Sequence, residues 1–289
     1  MNKPFTSSLE VAILERGPVD GRVVFFLHGF TDDATGFLPI MNMLADQGIR
    51  TFAPYMRGVG PTTFRDEAMP RSGDTASLMM DVLEIMDALD IDNAMFAGHG
   101  WGARVAQGLA ALYPEYVECL LSFGGYALNA PNKELLPPYS TSQAHWFEHL
   151  LNTSSAEKIL EEDMERFARY LWAIWSPGWD ATEREIALAG VVKSFVTPDF
   201  VEIVLSAYME KGGDPRLSDI QASLSERPKI TVPTTILRGD QGPLECPADA
   251  AKDEMCFTSI SQKITLAKVG HLVHREKPAA VAKVLLNMM

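Results

Sequence analysis

Two hydrophobic rhythms alternate along this chain. Residues 11–14, 23–27, 49–55, 94–97, 117–123, 234–237 and 263–266 are short, mostly apolar runs of the kind that form strands. The run at 23–27 is apolar throughout, as expected of a strand covered by helices on both faces. Between these runs the apolar positions recur at helical spacing. In residues 34–47 they are Phe37, Ile40, Met41 and Leu44, and the same texture marks 75–89, 105–112 and the C-terminal 278–289. Strand and helix in alternation predict a mainly parallel sheet with right-handed crossovers and helices on both faces. After about Pro131 the texture changes: residues 132–226 carry helix-like segments, several tryptophans and no strand pattern. The expected organisation is a sheet domain in two parts, 1–131 and 227–289, with a helical cap at 132–226 inserted between them.

Composition narrows the class. At 289 residues and 47% apolar content, the chain can bury a full core. A net charge of −13 and the lack of a basic run argue against nucleic acid and anionic membrane surfaces as partners. No apolar stretch approaches the ~20 residues of a membrane span, and the start, Met1-Asn2-Lys3-Pro4, lacks a signal-peptide core. Cys119, Cys246 and Cys256 lack metal-ligand spacing, so free thiols in a reducing cytoplasm are expected, with neither metal nor cofactor. The expected partner is a small-molecule substrate. Oligomeric state is left open, a homodimer included.

One stretch organises the rest: Met95-Phe96-Ala97-Gly98-His99-Gly100-Trp101-Gly102-Ala103-Arg104. An apolar run ends in glycines and a helical pattern begins at once. In a strand–turn–helix elbow of the form G-x-nucleophile-x-G, the central residue sits on a strained turn with its side chain aimed into the active site. The flanking glycines leave room for the neighbouring strand and helix. Here the central residue, Gly100, has no side chain.

The order of motifs resembles the α/β-hydrolase fold, and within it the epoxide-hydrolase and haloalkane-dehalogenase branch. Members of that branch read G-H-D-W-G-A or G-Y-D-W-G-G where this chain has Gly98-His99-Gly100-Trp101-Gly102-Ala103. His28-Gly29-Phe30 is similar to the branch's oxyanion-side turn, and Arg57-Gly58-Val59-Gly60-Pro61-Thr62 to its R-G-x-G-x-S/T loop. The resemblance implies a two-step hydrolysis. An aspartate attacks carbon to form an ester, and a histidine oriented by an acid activates the water that cleaves it. On this reading His271, in Val269-Gly270-His271-Leu272-Val273, is the base, and His274 is a solvated neighbour. The acid is expected at Asp240, one position earlier than in relatives, with Glu245 and Asn129 as alternatives. The resemblance further implies an oxyanion hole from the main-chain N–H groups of Phe30 and Trp101. Substrate contacts are expected from His28 and from the tyrosines Tyr208, Tyr170 and Tyr139, whose hydroxyls would hydrogen-bond an epoxide oxygen as charge develops on it.

The departures matter equally. Phe30 stands where dehalogenases often have a halide donor, and Thr31 where epoxide hydrolases usually have proline. Arg104 matches one of two arginines that grip a carboxylate in fluoroacetate-type dehalogenases, but Trp101 replaces the other. With Gly100 the covalent route is closed. Three explanations compete: an Asp→Gly change in an otherwise competent enzyme, natural loss of catalysis that leaves a binding protein, or direct use of His271 as a general base.

Overall fold

The computed structural model describes residues 4–128, 139–208, 213–244 and 255–289. Its strands are β1 (Leu9–Glu10), β2 (Ile13–Arg16), β3 (Val23–Leu27), β4 (Arg50–Pro54), β5 (Thr63–Phe64), β6 (Ala94–His99), β7 (Val117–Phe123), β8 (Thr234–Gly239) and β9 (Ile260–Leu266). Its helices are α1 (Leu38–Ala45), α2 (Thr75–Ala88), α3 (Trp101–Leu112), α4 (Tyr139–Ala144), α5 (Trp146–Leu151), α6 (Ala156–Glu162), α7 (Met164–Trp175), α8 (Ala181–Val191), α9 (Phe200–Tyr208), α10 (Ser218–Ser225), α11 (Val273–Glu276) and α12 (Pro278–Met288). The main sheet runs β2-β4-β3-β6-β7-β8-β9; β2 is antiparallel to β4 and the later pairings are parallel.

The alternation of apolar runs is realised as an α/β sheet with helices on both faces. The run expected at 11–14 is displaced: β1 ends before it, and β2 begins at Ile13 and runs on to Arg16. The helix expected at 34–47 begins as a 3-10 turn, Ala34–Phe37, before α1 takes over. Asp33 starts that turn by accepting the Thr35 N–H.

The position of the site follows from topology. From β3 the chain steps outward to β4, then returns past β3 to β6, so the strand order reverses between β3 and β6. In an open parallel sheet, the crevice at the carboxyl ends of such strands is where ligands bind. The turn at residues 28–31 leaves β3 there and the elbow leaves β6, with Leu27 paired to Gly98 in register.

Between β7 and β8, every regular element of the described residues is helical, α4 to α10 with short 3-10 turns. Helix α7 shows why these helices pack down. Met164, Phe167, Ala168, Leu171, Trp172 and Trp175 recur at three- and four-residue spacing and are buried, while Glu165, Arg166, Arg169 and Tyr170 take the other face. The loop at 57–62 is held by Arg57, whose guanidinium forms a two-pronged pair with the Asp81 carboxylate of α2 and also donates to the Ser72 and Ser77 carbonyls.

Candidate active site

The elbow has the geometry its glycines require. A Cβ on Gly102 would lie 2.0 Å from the Leu27 carbonyl oxygen, and one on Gly98 would lie 2.3 Å from that of Gly102. Strand and helix therefore approach too closely for any other residue at either position. Gly100 has φ 57 and ψ −117, a backbone conformation that L side chains rarely adopt. Among the described residues, a Cβ placed there would meet one atom within 4 Å, the Gly29 Cα at 3.3 Å. The position thus has the backbone of an elbow's central residue, and a Cβ there would meet one close neighbour.

The two turns lie against each other. The Phe30 and Trp101 main-chain N–H groups form no hydrogen bond with any described residue, although Gly102 N–H donates to the His28 carbonyl. Aromatic rings surround them. Phe30 stacks on Trp101 at 5.6 Å between centroids and meets Tyr208 edge-on at 5.6 Å, with Phe167 and Phe200 behind it. Trp101 Nε1–H donates to the Tyr208 hydroxyl at 3.1 Å, which leaves the phenol's own proton available to another acceptor. Burial pushes the Tyr208 hydroxyl above its ordinary range, and the Glu148 charge adds to this.

His271 comes to the same place through His99, whose ring lies 4.4 Å from that of His271. The His271 backbone is pinned at both ends. Its N–H donates to the Trp175 carbonyl at 2.8 Å, and its C=O accepts from His99 Nε2 at 3.1 Å. Gly270 N–H donates to both Glu276 carboxylate oxygens, and Leu272 N–H to Ser176 Oγ. A Cβ on Gly270 would sit 2.4 Å from the Ser176 Cα, so the histidine loop rests directly on the backbone at the end of α7. The Trp175 ring meets the His271 ring edge-on at 5.4 Å.

Several sequence expectations are corrected. His28 is buried, its Nε2 accepts the Met56 N–H and its Nδ1 donates to the Gly29 carbonyl. Both nitrogens serve the main chain, so its ring organises the turn and offers substrate nothing; burial depresses its pKa. Tyr139 is 94% exposed. Tyr170 is 56% exposed, on the outer face of α7 against Trp146. Neither joins Tyr208 at the elbow. Asp240 is exposed and its Oδ1 accepts the Lys268 N–H at 2.6 Å; it shapes the 267–268 turn and makes no bond to His271. Glu245 and Asn129 lie outside the described residues.

His274 is fully buried, not solvated. Its Nε2 meets Asp32 Oδ2 at 2.7 Å, and Arg275 forms a fork onto the same carboxylate. Burial alone would raise the Asp32 carboxyl, but Arg275 and the His274 hydrogen bond outweigh it and hold the group well below the usual carboxylate range. Since Arg275 already neutralises that charge, burial decides for His274 and lowers its pKa. Asp33 accepts from Ser194 Oγ at 2.6 Å, and Trp172 Nε1 is shared between the O and Oγ1 of Thr31, which has φ 66. These partners of the 28–33 turn were not foreseen.

Comparison with known proteins agrees with this geometry. The family model described as alpha/beta hydrolase fold matches residues 22–278. An epoxide hydrolase from Caballeronia sordidicola is 23% identical, over 98% of this chain and 92% of its own length. The AB hydrolase superfamily protein YfhM from Bacillus subtilis is also 23% identical, over 98% and 96%. The crystal structure of a candidate epoxide hydrolase from Klebsiella pneumoniae superposes with a TM-score of 0.90 at 31% identity, covering 98% of this chain and 95% of that one. With the reversal point between β3 and β6, the glycine-framed elbow and the pinned histidine loop, these matches place the chain in the α/β-hydrolase fold family, on its epoxide-hydrolase-like branch.

Proposed function

We propose that this chain is a hydrolase scaffold of epoxide-hydrolase type for a small apolar substrate, with the covalent route closed at residue 100. The observation that carries this reading is Gly100, which has the backbone of a nucleophile elbow, a single neighbour within 4 Å of where a Cβ would stand, and no atom able to attack carbon. Tyr208 donates to the oxygen of the opening ring, and the Phe30 and Trp101 N–H groups are the oxyanion hole that an ester at residue 100 would use. Without an ester intermediate, water attacks the ring carbon directly. The O–C bond to water forms as the ring C–O bond breaks, His271 takes the water's proton, and Tyr208 protonates the departing alkoxide. The imidazolium returns its proton through solvent to the Tyr208 phenolate, which restores both groups.

The test is Gly100→Asp, assayed against epoxides, haloalkanes and esters. Loss of a residue that works as part of a unit removes most of the rate, so restoring it is expected to raise epoxide hydrolysis by ~10³-fold or more. No gain on any substrate refutes the reading. In the unaltered chain, residual turnover that disappears in His271→Ala identifies the direct-base route. A second reading, a binding protein without turnover, is favoured by Gly100 itself, which offers no side chain to form an ester. It requires a ligand that raises the melting temperature and is not consumed.

A further inference from the structure

His99 is a buried titratable group that the hydrolytic scheme leaves unused. It ends β6, one residue before the elbow glycine, and is 2% exposed. Its Nε2 lies 3.1 Å from the His271 carbonyl, so Nε2 carries the hydrogen and donates it. Nδ1 is then a bare acceptor, enclosed and without a hydrogen-bond partner among the described residues. The ring is flanked by His271 at 4.4 Å and His274 at 4.5 Å, with Phe123 edge-on at 6.3 Å. The charged groups facing it are Asp32, which is ionised, and Arg275 beyond it. Burial is the main influence holding the His99 imidazole neutral, and the two neighbouring histidines reinforce it.

An enclosed imidazole with one unsatisfied nitrogen lowers stability relative to an apolar side chain of similar volume. The bond that His99 makes falls on the main chain of the residue read as the base. The other main-chain bond of that residue comes from the end of α7, a different layer of the molecule.

We propose that His99 is a positioning residue for His271: by donating Nε2–H to the His271 carbonyl it ties the histidine loop to the strand carrying the elbow, and so fixes the imidazole relative to residue 100. The proposal rests on the reading of His271 as the base, but its primary test does not. Imidazole nitrogen NMR spectra of the full chain record the His271 resonances and their titration midpoint. In His99→Leu, which removes the donor together with the orphaned Nδ1, the melting temperature holds or rises while the His271 signals move and broaden. In His99→Gln, whose amide N–H reaches the same carbonyl, they return to those of the unaltered protein. In a Gly100→Asp background, His99→Leu lowers kcat ~10- to 100-fold with KM nearly unchanged, the size expected for misplacement of a catalytic group by about 1 Å, and His99→Gln restores it.

His271 signals unchanged in His99→Leu, or as disturbed in His99→Gln as in His99→Leu, overturn the proposal. If His99→Leu does not fold, the Gln variant decides by whether its His271 signals match those of the unaltered protein. If Gly100→Asp is inactive on every substrate, the hydrolase reading fails while the spectra still settle whether His99 positions His271.

Discussion

Lowering the pH from 7.5 to 5.5 should destabilise this protein through three histidines. His28, His99 and His274 are at most 2% exposed, and each has its pKa depressed, burial being the largest cause. In the unfolded chain each titrates near pH 6.5. The unfolded state therefore binds more protons than the folded state below that pH, and stability falls as pH falls. A histidine that stays neutral when folded loses about 1.4 kcal/mol by pH 5.5, so the three together set an upper limit of about 4 kcal/mol. Asp32 acts in the same direction but in a lower window. Its depressed carboxyl contributes stability that is fully present above the unfolded carboxylate pKa of about 3.9 and lost only at more acidic pH. Relief of self-repulsion works the other way, because acidification shrinks the net charge of −13. Salt separates the two, since exposed charges are screened and enclosed ones barely are. The assay is urea unfolding at half-unit pH steps in 0.5 M salt, with the m-value checked for constancy. A midpoint that stays level or rises between pH 7.5 and 5.5 would refute the reasoning.

Three further predictions follow from single contacts. Gly102→Ala places a Cβ 2.0 Å from the Leu27 carbonyl oxygen; its cost, ~3 kcal/mol or more, should appear as loss of soluble expression or a much lower urea midpoint. Arg275→Met leaves the Asp32 carboxylate enclosed without its cation, held by His274 and the Asp33 N–H; a loss of ~3–5 kcal/mol is expected, and Arg275→Met with Asp32→Asn should recover part of it in the same unfolding assay. Asp240→Ala removes the acceptor of the Lys268 N–H and should cost ~0.5–2 kcal/mol. In a Gly100→Asp background it should leave kcat within about tenfold, whereas loss of a triad carboxylate costs ~10⁴-fold; stopped assays on the best epoxide measure the difference.

The sheet and elbow were legible in sequence because burial on both faces writes itself as unbroken apolar runs, such as those of β3 and β6. Backbone contact writes itself as glycine, as at Gly98 and Gly102. What a polar side chain bonds to depends on residues far away in the chain. His28 reads as a substrate contact until Met56 and the Gly29 carbonyl take its two nitrogens. His274 reads as solvated until Asp32, 242 residues distant, receives it. The tyrosines divide by helix face: Tyr170 falls opposite the buried stripe of α7, while Tyr208 ends α9 at the Trp101 indole. Asp240 stands beside the glycine that ends β8, but the direction of its carboxylate is set by the Lys268 turn, with φ 61.

The fastening of the histidine loop to the end of α7 has a consequence for how this molecule can change. The Trp175 carbonyl and the His271 N–H belong to the main chain, so of the side-chain exchanges at 271 only proline deletes their bond, and Gly270 leaves no gap to widen. That flank should therefore change little by point substitution. The α9 flank is joined at the elbow by an indole and a phenol, both replaceable by point mutation. New substrate preferences should therefore accumulate around Tyr208 and Trp101, and a library confined to those positions and their neighbours should yield altered selectivity sooner than one spread along α7.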